Sequence, residues 1–341
     1  MPTVYVVQQN TKIRIRNRRL QVERDPEADN DGKQAEILVS VPLGQVSQVV
    51  LFGNVGLTTP AIDALLSQET EVVFLTQRGE YRGKLVGNLT PHVPLRRAQY
   101  RGLEQPEFTL KMAGGFVSAK LQHQRALLLR NTRDERPIAV TEAAERLNAA
   151  LETVSRKTTL ESLRGLEGAS TAAYFSGLRS FFGPEWKFDD RNRRPPADPV
   201  NVLLSFGYTL LAQSASAAAQ TVGLDPFVGY LHEYVYNRPA LALDLMEEFR
   251  PVVDGVVLWA CRSGQLQPAD FTPGPPERPV VLGDDGKRRF LQAYEQRMEQ
   301  VSTHPLRGLK FPLRQSIIEQ ARQVADCLMK NQPEFIGMGF R

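Results

Sequence analysis

The stretch "DPVNVLLSFGYTLLAQSASAAAQTVG", residues 198–223, carries a full set of signals for one long helix. Asp198 is of a type that caps helix N-termini, and Pro199 suits the first helical turn. Gly223 suits the stop, and the apolar residues between recur at the helical period of 3.6. The stretch therefore predicts a long apolar helix and places this half of the chain in a helical class.

The same helical spacing continues on both sides of this stretch, whereas strand patterns are hard to find beyond about residue 105. Further segments with this spacing include "GGFVSAKLQHQRALLLRN", "VTEAAERLNAALETVS", "ALALDLMEEFR" and "GKRRFLQAYEQRMEQV". Such long periodic segments are typical of helices that pack around a shared core. We predict a large all-α domain over residues 105–332, followed by a C-terminal tail at 333–341.

The first part of the chain has a strand pattern instead. The segments "TVYVVQ", "KIRIR", "AEILVSVP" and "QVVLFG" are short, rich in β-branched residues and separated by polar or turn segments. One helix is predicted at "TTPAIDALLSQ", with Thr59 as a cap and Pro60 in the first turn. We predict a mostly antiparallel β domain over residues 1–90 and a linker over 91–104. The fold class is α+β.

Composition excludes several classes. The chain has 341 residues, of which 42% are hydrophobic, so it has enough apolar material for two packed domains. Cys261 and Cys327 form no CxxC or Cys/His pattern, which excludes a disulfide framework and a structural zinc site. No GxGxxG, P-loop, GxSxG or HExxH motif occurs. The start lacks a signal-peptide pattern and no apolar stretch spans a membrane uninterrupted, so a cytoplasmic location without membrane contact is expected.

The stretch "YLHEYVYNRPALALDLMEEFRP", residues 230–251, brings a histidine close to three acids. Asp244, Glu247 and Glu248 are spaced to share one helix face, and His232 precedes Asp244 by 12 residues. Carboxylates suit Mg²⁺ or Mn²⁺, and Mn²⁺ also accepts an imidazole nitrogen. The plainer interpretation is acids that favour a helix N-terminus and a hydrogen-bonded loop histidine. From this stretch alone the plainer interpretation is the commoner one, and both stay open.

A second candidate lies in "LRGLEGAS", residues 163–170, where Glu167 stands between Gly165 and Gly168. Each glycine costs a helix interior about 1 kcal/mol relative to alanine. Such a cost is easiest to understand where another backbone or a ligand approaches closely. The alternative is a helix crossing that leaves an exposed glutamate.

A third candidate is "KFDDRNRRPPADPVN", where Arg191, Arg193 and Arg194 precede a helix in a proline-rich loop. Arginine forks and helix N-termini both attract phosphate, so the loop suits contacts with a nucleic-acid backbone. A solvated linker is an equal alternative. Lys/Arg groups such as "QRGEYRGK" and "GKRRF" add local basic patches, which resemble a nucleic-acid footprint. The other histidines lack acidic neighbours and are interpreted as structural or surface groups.

Four segments together make a specific combination. They are "QVVLFGNVGLTTPAIDALL", "LRGLEGASTAAYF", "RNRRPPADPVNVLLSFGYTLL" and "VGYLHEYVYNRPALALDLMEEFRP", in this order. The combination resembles the CRISPR-associated integrase and endonuclease family, Cas1, most densely over residues 48–102 and 163–255. The form of "LALDLMEEFRP" and the chain length favour a type I system, subtype I-C. Asn237 stands where many relatives have glycine, and asparagine also tolerates a left-handed turn.

The resemblance implies a C-terminal helical domain that holds a divalent metal, Mg²⁺ or Mn²⁺. Its ligands would be Glu167 in an RGxEG context, His232 in a GxxH context, and Glu247 in the following helix. Asp244 matches a further acidic position beside the metal and DNA, so the catalytic set would be these four residues. Gly165 and Gly168 would then be close-packing positions around Glu167.

The resemblance also implies partners and an activity. Family members form homodimers, assemble with the small ferredoxin-like protein Cas2, and insert captured double-stranded DNA fragments into the CRISPR array. The reaction is a transesterification by a 3′-hydroxyl on a phosphodiester, and water in its place would give a nuclease. Two alternatives remain at this stage: a structure-specific DNA nuclease that acts in repair, and a non-catalytic DNA-binding scaffold.

Overall fold

The protein is described from a computed structural model, which covers residues 3–24, 35–85, 87, 92–132, 137–192, 195–305 and 307–339. The chain divides into two compact units, Met1–Leu89 and Thr90–Arg341. The first unit is rich in strands and the second in helices, so the α+β class is confirmed at this level.

Eight strands and one helix build the described part of the first unit. They are β1 (Thr3–Val6), β2 (Thr11–Arg16), β3 (Arg19–Arg24), β4 (Glu36–Pro42), β5 (Gln48–Phe52), β6 (Val55–Leu57), α1 (Thr59–Ser67), β7 (Glu71–Leu75) and β8 (Tyr81–Leu85). They form two four-stranded sheets, with the orders β1-β5-β7-β8 and β4-β3-β2-β6. Both sheets and α1 contribute to one apolar core, which contains Ile13, Leu20, Val49, Leu65 and Val72.

The sheets are mixed, so the prediction of a mostly antiparallel domain is matched only in part. β1 pairs with β5, β5 with β7, and β2 with β6 in parallel, while the other pairs are antiparallel. The chain passes through α1 between β5 and β7, and a helical crossover brings the next strand in parallel. Strand alternation in the sequence carries no information on this direction, and the short β6 was not predicted.

The second unit consists mainly of helices. They are α2 (Val93–Leu103), α3 (Pro106–Arg130), α4 (Ile138–Val154), α5 (Leu160–Arg179), α6 (Pro199–Val222), α7 (Ala240–Glu247), α8 (Arg250–Arg262), α9 (Asp284–Met298) and α10 (Leu313–Lys330). The all-α prediction needs one correction, because two small hairpins occur as well. They are β9 (Phe271–Pro273) with β10 (Val280–Leu282), and β11 (Val301–Thr303) with β12 (Lys310–Pro312). Strands of three residues are too short to show a period in the sequence.

The interval 91–104, for which a linker was predicted, contains α2. Gln99 of this helix is buried and donates to the carbonyls of Asp225 and Val228 at 2.8 and 2.9 Å. The predicted tail is also packed, since Phe335 and Met338 are buried. α2 therefore anchors the segment that leads to His232.

α6 forms as its signals predict. The Asp198 side chain accepts the Asn201 N–H at 2.9 Å, and Gly223 ends the helix with φ of 96°. Within the described residues, α6 is the one helix long and apolar enough to cross a membrane by length and composition. Of its apolar window 61% is buried inside the unit, as expected for the central helix of a helical domain.

Candidate metal centre

Asp244 organises the loop that carries His232. It is fully buried on α7, and its Oδ2 accepts the N–H groups of Tyr230 and Leu231 at 2.6 and 3.0 Å. Its Oδ1 accepts the His232 N–H at 2.9 Å and the His232 Nδ1 at 2.8 Å. Because a carboxylate only accepts, Nδ1 carries the proton, and a neutral ring then offers its Nε2 lone pair to a metal.

Gly229 makes this close approach possible. A Cβ at Gly229 would lie 2.7 Å from Asp244 Oδ2 and 2.6 Å from the main-chain carbon of Ala240. Both distances are shorter than carbon contacts allow, so any larger residue would push the loop away from α7. The loop turns farther on at Asn237, whose φ of 60° is left-handed, a conformation that asparagine tolerates.

Arg164 ties the same loop to α5. Its Nε donates to the Leu231 carbonyl at 2.7 Å, and its guanidinium contacts the Glu233 carboxylate at 2.6 Å. Arg164 lies one helical turn before Glu167 on α5. The contact therefore sets His232 and Glu167 relative to each other.

Glu247 lies one turn after Asp244 and is buried. Its Oε1 lies 3.6 Å from His232 Nε2 and 2.8 Å from Arg250 Nε, and its Oε2 lies 2.7 Å from Lys120 Nζ. Burial alone raises the pKa of Glu247, but Arg250 and then Lys120 lower it by more, so the pKa falls far below its usual range. Glu247 is therefore an ionised, negatively charged oxygen donor at neutral pH.

Glu167 completes the group from α5. Its Oε1 contacts the Lys120 ammonium and accepts the Thr171 hydroxyl at 2.9 Å. Since one ammonium group touches both Glu167 and Glu247, the two carboxylates flank the same cation. The structure thus links Glu167 of α5 to Glu247 of α7 through Lys120, and it places His232, from the loop between α6 and α7, beside Glu247.

These residues fit a divalent metal by their donor chemistry. Two carboxylates and an imidazole nitrogen suit Mn²⁺, and the carboxylates also suit Mg²⁺. Glu247 Oε2 is buried and accepts no hydrogen bond of good geometry from the described residues, although Lys120 pairs with it by charge. Among the described residues, no three His, Cys, Asp or Glu side chains form a cluster that could hold a metal ion as they stand. The Lys120 ammonium lies between Glu167 and Glu247.

Asp244 and Glu248 differ in role from the three proposed ligands. Both Asp244 oxygens are used by the loop and His232, so its contacts are those of a positioning residue. Glu248 points to the other side, where Gln320 Nε2 and the Met338 N–H donate to it at 2.7 and 2.8 Å. Consecutive helix positions differ by about 100° in direction, which separates Glu248 from Glu247. Burial raises the pKa of Glu248 to about 7.

A second cluster of polar and charged side chains lies next to Glu247 and consists of Arg250, Tyr208, Tyr174 and Asp254. The Arg250 guanidinium lies 4.6 Å from the centre of the Tyr208 ring, within cation–π distance. The hydroxyls of Tyr208 and Tyr174 donate to the two oxygens of Asp254 at 2.5 and 2.7 Å. Burial raises the pKa of Asp254 to about 6, against the effect of these hydrogen bonds. The cluster fixes Arg250 and so the carboxylate of Glu247.

An open cavity of about 760 Å³ lies beside His232 in the second unit. Its lining includes Tyr100, Arg164, Phe227, Tyr234 and Tyr236. Tyr234 and Tyr236 are 79% and 90% exposed, which is unusual for large aromatic side chains. Exposed aromatic rings with a nearby arginine are typical of surfaces on which nucleic-acid bases stack.

The model of a protein family described as "CRISPR associated protein Cas1" matches residues 4–296 of this chain. A CRISPR-associated endonuclease Cas1 of Thermus thermophilus is 39% identical over 328 residues, covering 96% of both chains. The chain belongs to the Cas1 family. A Cas1 endonuclease of Moorella thermoacetica is 34% identical and covers 99% of this chain and 98% of its own.

Among solved structures, a Cas6-RT-Cas1–Cas2 complex is similar to this Cas1 chain with a TM-score of 0.82 and 25% identity. The match covers 100% of this chain and 36% of that one. The likeness extends over both units, so the succession of a strand-rich unit and a helical unit agrees with a known member of the family.

The close-packing role predicted for Gly165 and Gly168 is wrong. A Cβ at either glycine would meet nothing within 4 Å, and both positions are exposed. The sequence shows that two glycines stand in a helix, but whether another segment approaches them depends on tertiary packing. This face of α5 next to Glu167 is open.

The arginine loop is only partly described, because Arg193 and Arg194 lie outside the described residues. Arg191 is turned back onto α6, where it donates to Asn201 Oδ1 at 2.7 Å and Ser205 Oγ at 3.0 Å. Its guanidinium also lies 5.5 Å from the centre of the Tyr208 ring. Contact of these arginines with DNA stays a prediction.

Sequence reasoning missed Lys120 and Arg250. A signal for Lys120 exists, since it follows Phe116 by one turn in an α3 stripe that also contains Val117 and Leu121. A lysine among buried positions is rarely tolerated without a charged partner. Arg250 follows Glu247 at i+3, the spacing of a helical ion pair.

Proposed function

We propose that this chain is a divalent-metal-dependent DNA integrase and endonuclease of CRISPR adaptation. It joins the 3′-hydroxyl of a captured DNA fragment to a phosphodiester of the CRISPR array. Membership of the Cas1 family makes the chain an enzyme of nuclease type that acts on DNA. The observation that carries the proposal is the grouping of the candidate ligands at Glu247, which shares the Lys120 ammonium with Glu167 and lies 3.6 Å from His232 Nε2.

The proposed ligands are Glu167, His232 and Glu247. A divalent ion held by these residues would supply a lowered pKa of the attacking hydroxyl and charge neutralisation at the phosphate and the leaving oxygen. Asp244 fixes the imidazole so that Nε2 faces Glu247. Arg250 keeps Glu247 ionised and in place.

Either Mg²⁺ or Mn²⁺ is compatible with this proposal. Glu167 and Glu247 supply the hard oxygen donors that both ions take. The imidazole of His232 favours Mn²⁺, which accepts nitrogen more readily than Mg²⁺ does. We therefore expect activity with both ions and tighter binding of Mn²⁺.

The cavity beside His232 is the proposed binding site for DNA. Unpaired bases at a 3′ end would stack on Tyr234 and Tyr236, which places the terminal hydroxyl near the ligand group. Local basic patches position the DNA backbone without reading its sequence. The name of the similar Cas6-RT-Cas1–Cas2 complex supports Cas2 as a partner. We further propose that the chain forms a homodimer, belongs to a CRISPR system of subtype I-C and is located in the cytoplasm.

A strand-transfer assay tests the proposal. Labelled duplexes with free 3′-hydroxyl ends are incubated with a plasmid that carries a CRISPR array, with Mn²⁺ or EDTA and with or without Cas2. We expect metal-dependent transfer of label into the plasmid, lost in His232→Ala and Glu167→Ala. The matched control is His92→Ala, because His92 is exposed at the start of α2.

The alternatives give different results in the same assay. Cleavage of branched DNA without joining, even with Cas2 present, supports a repair nuclease. DNA binding that survives in every variant, with neither joining nor cleavage by the wild type, supports a scaffold. Full activity of both ligand variants would contradict the proposed metal centre.

A further inference from the structure

Lys120 stands at the centre of the proposed ligand group, although lysine is not a metal ligand here. Its side chain is 4% exposed, and its ammonium contacts Glu167 Oε1 and lies 2.7 Å from Glu247 Oε2. The lysine comes from α3, whereas the two carboxylates come from α5 and α7. One ammonium therefore joins three helices at a single point.

Burial of a lysine is unfavourable unless its charge is compensated. Here the compensation comes from two carboxylates, which would otherwise repel each other across the site. A divalent ion held by both Glu167 and Glu247 would be bound by these same two carboxylates. The ammonium and the metal are thus rivals for the same oxygen atoms.

The neighbouring cation, Arg250, is held differently. Its guanidinium contacts Glu247 Oε1 and packs over the Tyr208 ring at 4.6 Å. A planar guanidinium on an aromatic face is fixed, whereas a lysine has a flexible four-carbon stem and a compact charge. Lys120 is therefore the cation that can withdraw while Arg250 stays.

We propose that the Lys120 ammonium is a resident counter-cation of the metal centre. It holds Glu167 and Glu247 together in the metal-free protein and leaves their oxygens when a divalent ion binds. The inference rests on the proposed metal centre and adds a residue that sets its affinity. Lys120 is a positioning residue, and its presence weakens metal binding because its contacts must be broken first.

The test compares Mn²⁺ binding and thermal unfolding of the full chain with and without the lysine charge. Lys120→Met removes the ammonium and leaves an unbranched apolar side chain of similar length. Lys287→Met is the matched control, because Lys287 is also buried and pairs with Asp284 at 2.8 Å on α9, away from the proposed ligands. Free Mn²⁺ is counted by electron paramagnetic resonance, and unfolding is followed in EDTA and in saturating Mn²⁺.

We expect Lys120→Met to bind Mn²⁺ at least about tenfold more tightly than the wild type, since one unit of competing charge is gone. Its midpoint of unfolding falls in EDTA, because the two carboxylates face each other uncompensated. Saturating Mn²⁺ raises that midpoint by more than it raises the wild-type midpoint. Lys287→Met changes stability but leaves the Mn²⁺ affinity at the wild-type value.

Equal or weaker Mn²⁺ binding by Lys120→Met, with normal binding by the wild type, overturns the inference and leaves the metal centre standing. Absence of Mn²⁺ binding by the wild type overturns the metal centre and the inference together. If Lys120→Met does not fold, Lys120→Gln carries the same comparison. Tighter binding by Lys287→Met as well would show a general charge effect and would also overturn the inference.

Discussion

His232 Nδ1 lies 2.8 Å from Asp244 Oδ1, and the same carboxylate accepts the main-chain N–H groups of residues 230–232. One buried acid therefore fixes both the course of the loop and the orientation of the imidazole. Hydrogen bonds of this kind commonly orient histidine ligands in metal sites. The arrangement gives Asp244, which is not one of the three proposed ligands, a role in positioning His232.

Replacement of Asp244 by asparagine tests this role. Asn would turn an NH₂ group toward N–H donors that now meet oxygen, so the loop loosens and His232 loses its orientation. We expect Mn²⁺ affinity to fall about 10-fold to 100-fold. Asp225→Asn is the control, since Asp225 accepts the Phe227 N–H at 2.9 Å in the same loop but does not touch His232. Unchanged Mn²⁺ affinity in Asp244→Asn would contradict the role.

Glu247 and Glu248 form a matched pair of adjacent acids whose side chains point in different directions. Glu247→Gln removes a proposed ligand charge, and we expect Mn²⁺ affinity to fall by at least the loss of about 10-fold to 100-fold that follows from changing a residue that orients a ligand. Glu248→Gln alters the contacts with Gln320 and Met338, so stability changes while Mn²⁺ affinity stays near the wild-type value. Calorimetric titration of both variants with Mn²⁺ measures the two affinities. Equal losses of affinity would show that the two acids are not separated as described.

Asp254 makes stability depend on pH. Its pKa is raised from 3.8 to about 6 by burial, so the folded state holds the proton to a higher pH than the unfolded state. Stability from this group is full below pH 3.8 and falls as pH rises through 6, by about 3 kcal/mol in total. Asp254→Asn lacks this titration. From pH 4 to pH 7 the unfolding free energy of Asp254→Asn should therefore rise relative to that of the wild type. Urea unfolding of both proteins at each pH measures this difference.

Gly168→Ala tests whether the face of α5 beside Glu167 is open. We expect the free energy of unfolding to rise by about 0.5–1 kcal/mol, because alanine favours a helix and meets nothing within 4 Å. Gly177→Ala on the same helix should destabilise by about 1–3 kcal/mol, since its Cβ would lie 2.8 Å from the Ala143 Cβ. Thermal unfolding compares the two. A destabilised Gly168→Ala would show that a segment packs there.

Local signals in the sequence predicted much of the fold. α6 could be predicted because Asp198, Pro199 and Gly223 act within a few residues of the helix ends. Strand direction in the first unit could not, because it depends on which strands the chain joins through α1. The hairpin strands β9 to β12 are too short to leave a period, and the helix α2 follows a stretch that has the composition of a loop.

The candidate site divides along the same line. Glu167, His232 and Glu247 were selected through motif spacing and family resemblance, and their role as metal ligands stays a prediction. In the structure Glu167 and Glu247 share the Lys120 ammonium, and His232 lies beside Glu247. Lys120 escaped notice because its partners lie 47 residues away, at Glu167, and farther on at Glu247. The different surroundings of Glu247 and Glu248 could not be predicted, because they depend on which segments pack around α7. Contacts distant in sequence leave no local pattern to interpret.

The most direct test of the central claim is a pulsed electron paramagnetic resonance measurement of nitrogen coupled to bound Mn²⁺. The chain has four histidines, and the account predicts modulation from one imidazole nitrogen in the wild type. That modulation is absent from His232→Gln and unchanged in His92→Gln. Nitrogen modulation that persists in His232→Gln, or bound Mn²⁺ without any nitrogen coupling in the wild type, would contradict the metal centre of Glu167, His232 and Glu247.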